Sequence, residues 1–142
     1  MTASIVTAIT EIVGVLRAVS GLKNVPINPP EQMNYDTYAV VYPEQGSVDV
    51  APIGTRESLH NIAIDVLTTR TDLARDMARI IPFLDLIPTA LLSEMTDSGD
   101  IFSNSIETFG KLTYSFISTD YGGTPVIGYR FVMEDVKIQV DL

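Results

Sequence analysis

The sequence predicts an α+β fold: a mostly antiparallel sheet of about four main strands, with helices packed on one face and a long hairpin at the C-terminal end. Three observations predict it. Apolar residues recur at helical spacing near residues 2–19 and 72–94, they alternate at strand spacing in paired segments elsewhere, and residues 120–124 (DYGGT) suit a tight hairpin turn. The length of 142 residues predicts one domain spanning 1–142.

The first predicted helix covers residues 2–19 and ends before Gly21, a favourable residue just past a helix C-terminus. Its apolar side chains are spaced by three or four residues and so define one face: Ile5, Ile9, Ile12, Leu16 and Val19, widened by Val6 and Val13. A second helix should run from Asp72 to Ile80 or Ile81. Since Pro82 and Pro88 disrupt helices, we expect a separate short helix near Thr89.

Four segments alternate as strands do. The first, residues 36–42, carries Tyr38, Val40 and Tyr42 on one face, and the second, residues 57–69, buries one face of alternate residues: Ile62, Ile64 and Val66. The third, residues 106–119, should turn four residues toward the core, with a bulge at Gly110: Ile106, Leu112, Tyr114 and Phe116. The fourth, residues 126–140, changes its apolar parity near Glu134 and Asp135, which predicts a bulge there.

A loop is predicted between the first two strands, at residues 44–55. It is long for a compact domain, and loops of that length tend to be functional or disordered. It nevertheless contains Val48, Val50 and Ile53, which have no place in the predicted core. We therefore expect residues 47–55 to be an arm that is mobile in the isolated subunit and ordered against a partner.

Composition excludes several classes of function. The net charge of −9, with no basic run, argues against specific DNA binding, because such binding depends on cations that neutralise phosphates. The absence of cysteine and the single histidine exclude disulfide scaffolds, thiolate sites and multi-histidine metal centres. The apolar N-terminus has no preceding Lys or Arg, and Glu11 interrupts it, so we expect neither a signal peptide nor a membrane span, but a soluble, unprocessed chain.

No catalytic, cofactor or metal site is predicted. His60 and Asp65 have opposite parity on one strand and should point to opposite faces. The acidic residues Glu94, Asp97 and Asp100 lack the ligand pattern of a calcium loop, and Gly122–Gly123 lacks the lysine of a phosphate loop. Asp65 itself has two interpretations: a cross-strand ion pair with Lys111 or Arg130, which is favoured, or a charge on a sheet face that lines a pore.

Several segments occur in an order and spacing that resembles the tail terminator proteins of long-tailed bacteriophages. In the first half of the chain they are residues 22–26 (LKNVP) before the proline-rich connector, 40–43 (VVYP) followed by Gly46, and 60–62 (HNI) leading to 65–66 (DV), Arg70 and Asp72-Leu73. In the second half they are residues 82–84 (PFL), 87–88 (IP), 121–123 (YGG) and 128–131 (GYRF). The resemblance covers most of the chain, although no single segment is specific.

The resemblance implies a virion protein that forms a ring of six copies. Such a ring would dock on the last ring of tail-tube protein, end its polymerisation and join the tail to the head connector. It implies assembly in the host cytoplasm, residence at the head-proximal end of the tail, no cofactor and DNA that passes without specific binding. Residues Val48, Val50, Ile53, Arg56 and Tyr121 are our candidates for the subunit or tube interface, and Glu57 and Asp65 for an acidic lumen wall.

Two alternatives remain open. One is a neck or head-closure subunit of the same virion. The other, from a different class, is a small-molecule-binding or enzymatic α+β domain, which a deep polar pocket in a monomer would favour.

Overall fold

A computed structural model describes residues 5–26, 37–50, 56–96 and 106–138 of the chain. In chain order these residues form α1 (Ile5–Arg17), β1 (Tyr38–Val50), β2 (Arg56–Thr69), α2 (Leu73–Ile80), α3 (Phe83–Thr96), β3 (Ile106–Thr108), β4 (Lys111–Tyr121) and β5 (Thr124–Ile138). The strands make one antiparallel sheet in the order β1-β2-β5, after which both β3 and β4 pair with β5. The predicted α+β class, and the long C-terminal hairpin of β4 and β5, are confirmed.

The main core lies between the helices and one face of the sheet. Alternate residues of β2 face the helices, as predicted for Ile62, Ile64 and Val66, and all three are fully buried. From α1, Ile12 and Leu16 pack into the same cluster, as do Ile87 and Leu91 of α3. Val6 was expected on the apolar face of α1, but it is exposed because that face is narrower than the sequence pattern suggested.

The second face of the sheet is also largely closed to solvent. Ala63 and Leu67 of β2, which point away from the helices, are buried as deeply as their neighbours on the helix side. A small cluster forms there around Tyr38, Leu67 and Val126, with Ile117 and Tyr121 of β4 packed against it. Apart from Asp65, both faces of β2 are therefore apolar over its middle, and the sequence there is a nearly continuous hydrophobic run rather than a clean alternation.

Helix α2 begins at an elaborate N-terminal cap. The Asp72 carboxylate accepts a hydrogen bond from the Arg75 backbone N–H at 3.4 Å. The buried Asp76 carboxylate reaches back one turn and accepts from the N–H groups of Thr71 and Asp72 at 2.7 and 2.9 Å. Together these bonds satisfy backbone donors that a helix N-terminus leaves without partners, and they fix where β2 ends and α2 starts.

The two prolines act differently. Pro82 separates α2 from α3, as predicted, and its carbonyl accepts the first hydrogen bonds of α3, from Asp85 and Leu86. Pro88 was expected to break or kink a helix; it does not break α3, which runs through it from Phe83 to Thr96. An internal proline costs a helix about 3 kcal/mol. Burying Ile87 and Leu91 on either side offsets this, at roughly 1.5–3 kcal/mol each.

Four strands, β1, β3, β4 and β5, have a register shift or an interruption where they cross the same line through the sheet. The pairing of β1 with β2 shifts between Pro43 and Gln45, and β5 shifts against β2 next to Asp135, whose φ is +56°. At that level the third predicted strand divides into β3 and β4, and the Gly110 N–H donates to the Glu134 carbonyl at 2.8 Å. The bulge predicted at Glu134–Asp135 is thus confirmed. The bulge predicted at Gly110 was wrong: the strand is interrupted there, with equal numbers of residues on both sides of the gap between Thr108 and Lys111, and the register shift lies between Ile106 and Thr108.

The predicted loop at residues 44–55 was wrong for its first half. Residues 44–50 continue β1, with Val48 opposite Ser58 and Val50 opposite Arg56. The alternation of Val48 and Val50 was therefore a strand signal. Gly46 is required here, because a Cβ at this position would lie 2.6 Å from the Leu59 carbonyl oxygen and 2.8 Å from His60 Nδ1. Residues 51–55, including Ile53, lie outside the described residues.

Candidate functional site

The most prominent feature beyond the core is a two-stranded arm, which we define as residues 44–50 of β1 with 56–60 of β2. Every residue of β1 from Pro43 to Val48 is exposed, although the strand is fully paired on its inner side with β2. Val48 is 52% exposed and lies on the same side of the sheet as the helices, opposite the buried Ser58. The arm therefore presents apolar surface outside the main core.

The predicted interface residues do not all lie together. Val48, Val50 and Arg56 belong to the arm, and the backbones of Val50 and Arg56 face each other across it. Tyr121 lies at the opposite end of the sheet, where β4 turns into β5, and packs against the small cluster of the second face. Burial raises the pKa of Tyr121, and the nearby Asp65 carboxylate raises it further.

Asp65 lies at the centre of a polar network on the second face. The Arg130 guanidinium donates two hydrogen bonds to the Asp65 carboxylate, from Nε at 2.8 Å and from a terminal nitrogen at 3.2 Å. The Tyr42 hydroxyl donates a third, at 3.0 Å. These three residues come from β1, β2 and β5, so the network ties together three neighbouring strands. Of the two interpretations of Asp65, the ion pair with Arg130 is present.

Protonation of this network follows from its geometry. Burial raises the pKa of Tyr42 to about 12, with further contributions from the charge of Asp65 and from their hydrogen bond. The hydrogen bond to Asp65 raises the pKa of Arg130 further above its ordinary value, although burial acts against it. At neutral pH Tyr42 is therefore a neutral phenol and Arg130 is a charged guanidinium, and both donate hydrogen bonds to Asp65.

The ion pair between Asp65 and Arg130 also concerns the acidic residues proposed for a lumen wall, Glu57 and Asp65. Asp65 is 12% exposed at its side chain, and its charge is directed at Arg130 rather than outward. Glu57 lies in the arm, with its backbone opposite Asp49. The lumen role of both residues stays a prediction.

His60 and Asp65 do lie on opposite faces of β2. His60 is opposite Val136, a residue of the main core, whereas Asp65 is opposite Arg130 on the second face. Across the part of the chain that the structure describes, no three His, Cys, Asp or Glu residues gather closely enough to hold a metal ion. No helix in those residues is long and apolar enough to cross a membrane.

The exposure of the outer strand β4 was not predicted from the sequence. Tyr114 and Phe116 were expected in the core; they do point to the helix side, but they are 61% and 49% exposed. The reason is that the helices cover β1, β2 and β5 and stop short of β4. The two rings pack instead on Tyr129, edge-to-face at 5.9 and 5.8 Å between centroids.

Two apolar grooves flank the helix layer. One, of about 420 Å³, lies between α1 and α3 and is floored by small residues such as Gly14, Ala18 and Ala90. The other, of about 520 Å³, runs between α3 and β4, and we name it the α3–β4 groove. Its lining is mainly apolar: Leu84, Pro88, Leu92, Phe109, Leu112, Tyr114 and Phe131, with Gly110 and Lys111. Lys111 is its one charged lining residue in the described part of the chain.

Comparison with known proteins adds no relative: no protein-family model matches the chain, and no curated protein is significantly similar to it.

Proposed function

We propose that this chain is a structural virion protein whose copies form a ring that caps the tail tube, ends its polymerisation and joins the tail to the head connector. The observation that carries the proposal is the presence of two unlike exposed surfaces on one chain: the mainly polar arm with its exposed Val48, and the strand β4 with its aromatic rings. Two different surfaces that fit each other produce head-to-tail contacts, and such contacts close into a ring when the rotation between copies allows it.

In this proposal the protein acts by binding alone. Six copies, as the sequence resemblance implies, would meet the last ring of tube protein with one face and the connector with the other. The compensated Asp65–Arg130 pair and the net acidic chain suit a passage through which DNA moves without adhering, because binding of DNA requires uncompensated cations. Residence in the virion tail, after assembly in the host cytoplasm, is part of the same proposal.

The ring is tested by native mass spectrometry across ionic strength. Six copies at −9 each carry a large net charge of one sign, which opposes closure. Salt shortens the range of that repulsion to about 8–10 Å near 0.1–0.15 M, so the hexameric mass should gain intensity as salt rises. A strict monomer at every salt concentration, with or without tail-tube protein, would refute the proposal.

The two alternatives differ in what they bind. A neck or head-closure subunit would form a ring that binds the head connector and leaves the length of tail tubes unchanged. A small-molecule-binding or enzymatic domain would remain monomeric and bind its ligand in a deep polar pocket. The two grooves beside α3 are open and mainly apolar, which suits a protein surface better than a small polar substrate. A further opening of about 410 Å³ is more polar, with Arg17, Lys23 and Asn24 in its lining, and such a substrate would be sought there.

A further inference from the structure

Strand β4 is an unprotected edge of the sheet. It pairs with β5 on one side, and within the described residues no strand pairs with its other side. Residues 112–119 (LTYSFIST) contain no charge, no proline and no glycine. Soluble proteins normally guard such an edge with charges, prolines or bulges, because its free N–H and C=O groups accept another strand. The opposite edge strand, β1, has a proline and a charge at Pro43 and Glu44, but residues 45–48 beyond them carry neither, so that part of its edge is open to pairing.

The surface beside this edge is shaped to receive apolar side chains. Tyr114 lines the α3–β4 groove and is exposed beside it, and Phe116 lies two residues further along the same face. On the other wall, Leu92 of α3 is also exposed. A strand added to β4 would extend the backbone ladder and at the same time place its alternate side chains in or beside this groove.

We propose that the arm of a second copy of the chain occupies this surface, with residues 44–50 adding antiparallel to β4 and Val48 opposite Tyr114. This inference rests on the proposed function in one respect, that copies of the chain bind each other. Val48 and Tyr114 both point to the helix side of their own sheets, so this register keeps the helix faces of the two copies on one side. It also places Val50 opposite Leu112 and Gly46 opposite Phe116.

The residue types that this register places opposite each other are favourable cross-strand pairs. Aromatic and β-branched residues opposite each other on a sheet contribute roughly 0.2–1 kcal/mol per pair. An aromatic ring across from a glycine covers the backbone that the glycine leaves bare, and Gly46 cannot carry a side chain of its own. Residues 44–57 contain three acids and one arginine, whereas the charged residue of the groove is Lys111, a largely exposed side chain whose ammonium lies 3.9 Å from the Glu134 carboxylate. In this register the Asp49 position lies diagonal to Lys111 on the same face.

A symmetric pairing of β4 with β4 of another copy is the main competitor. It would bring Tyr114 opposite Phe116 of the partner, but it closes as a twofold pair and leaves the exposed Val48 unused. The head-to-tail contact buries both exposed surfaces of each copy, and it can continue from one copy to the next. We therefore favour the arm as the occupant.

The absence of cysteine in the chain permits a direct test by disulfide trapping. The single variants V48C and Y114C are purified separately, mixed under oxidising conditions and compared with each variant alone. Directly opposite residues of an antiparallel pair have Cα atoms about 4.5–5.5 Å apart, which is within disulfide range. V6C, at a residue that is 70% exposed on α1, replaces V48C in the control mixture.

The mixture of V48C and Y114C should give a disulfide-linked dimer about tenfold faster than the control mixture, since docking raises the effective concentration of the paired thiols. A chain carrying both substitutions should give a ladder of linked copies. In a further mixture of Y114C with F116C, linking as fast as in the V48C mixture would overturn the inference in favour of the symmetric edge. Equal rates in the V48C and V6C mixtures would also overturn it.

Native mass spectrometry of the same samples separates this inference from the proposed function. A hexamer without preferential V48C–Y114C linking refutes the arm contact and leaves the ring. Preferential linking without any effect on growing tail tubes supports the arm contact and refutes the cap. If neither linking nor oligomers occur, both are wrong.

Discussion

Replacing Asp65 with alanine should destabilise the protein by about 2 kcal/mol, which is more than a surface ion pair contributes. The substitution removes the acceptor of two hydrogen bonds from Arg130 and one from Tyr42. The Asp65 side chain is 12% exposed and Arg130 is 39% exposed, so the guanidinium regains water more readily than the phenol does.

The expected loss of unfolding free energy for D65A lies between two limits. Exposed pairs are worth at most about 1 kcal/mol, and removing one member of a fully buried pair costs about 3–5 kcal/mol. Because Arg130 can rehydrate, the loss should fall short of the upper limit, near 2 kcal/mol. In a chain of 142 residues this corresponds to a decrease of about 6–8 °C in Tm.

Urea unfolding at pH 7, followed by circular dichroism, would measure the change directly. Y42F is the matched control, since it removes one hydrogen bond and keeps the ion pair, so it should cost no more than about 1 kcal/mol. A loss below about 0.5 kcal/mol for D65A would show that the network does not hold the three strands together.

Further predictions concern pH, local geometry and DNA. Because the pKa of Tyr42 is raised from 10.0 to about 12 in the folded protein, its stabilising contribution is complete below pH 10 and is lost as the pH rises toward 12; the difference in urea midpoint between wild type and Y42F should shrink over that interval. Burial acts to raise the pKa of Asp76, but the N–H groups of Thr71 and Asp72 outweigh it and hold the pKa below 3.8. D76N should therefore cost about 1–2 kcal/mol at pH 7, with the deficit vanishing as the pH falls below the folded pKa. G46A should destabilise the arm by more than about 1 kcal/mol and speed amide exchange there, whereas G14A, which meets no atom within 4 Å, should stabilise by up to about 1 kcal/mol. The unmodified protein should show no DNA affinity in fluorescence anisotropy at moderate salt, and tight, salt-sensitive binding would contradict the proposed role.

The sequence was most informative where periodicity and turn chemistry agree. The helix face of Ile12 and Leu16, the inward residues of β2 and the bulge at Glu134–Asp135 all follow from counting positions, and the structure confirms them. Such patterns are local, so a single sequence carries them.

Predictions that depended on the extent of neighbouring elements were less successful. From the sequence, residues 44–55 were predicted to form a loop, although β2 is long enough to pair with β1 as far as Val50. Tyr114 and Phe116 have the alternation of core residues, but alternation cannot show where the helix layer ends. Pro88 was expected to break or kink a helix that the core packing of Ile87 and Leu91 sustains.

The candidate site was predictable only in part. The sequence indicated an arm with Val48 and Val50, and it offered Arg130 as a partner for Asp65. The α3–β4 groove could not be foreseen, because it joins residues far apart in the chain. A run of eight residues without charge, proline or glycine in an outer hairpin strand was the one local signal of that edge.

Electron microscopy of growing tail tubes would show whether this chain caps them. Tail-tube protein from the virus that the proposed function implies would be polymerised with and without this chain, and the length and ends of the tubes recorded. If the chain is a cap, the tubes should be shorter, each bearing a ring of this protein at one end, and those rings should be lost when V48D or Y114D blocks the contact between copies. Tubes of unchanged length without terminal rings, at protein concentrations that saturate any binding, would contradict the proposed cap.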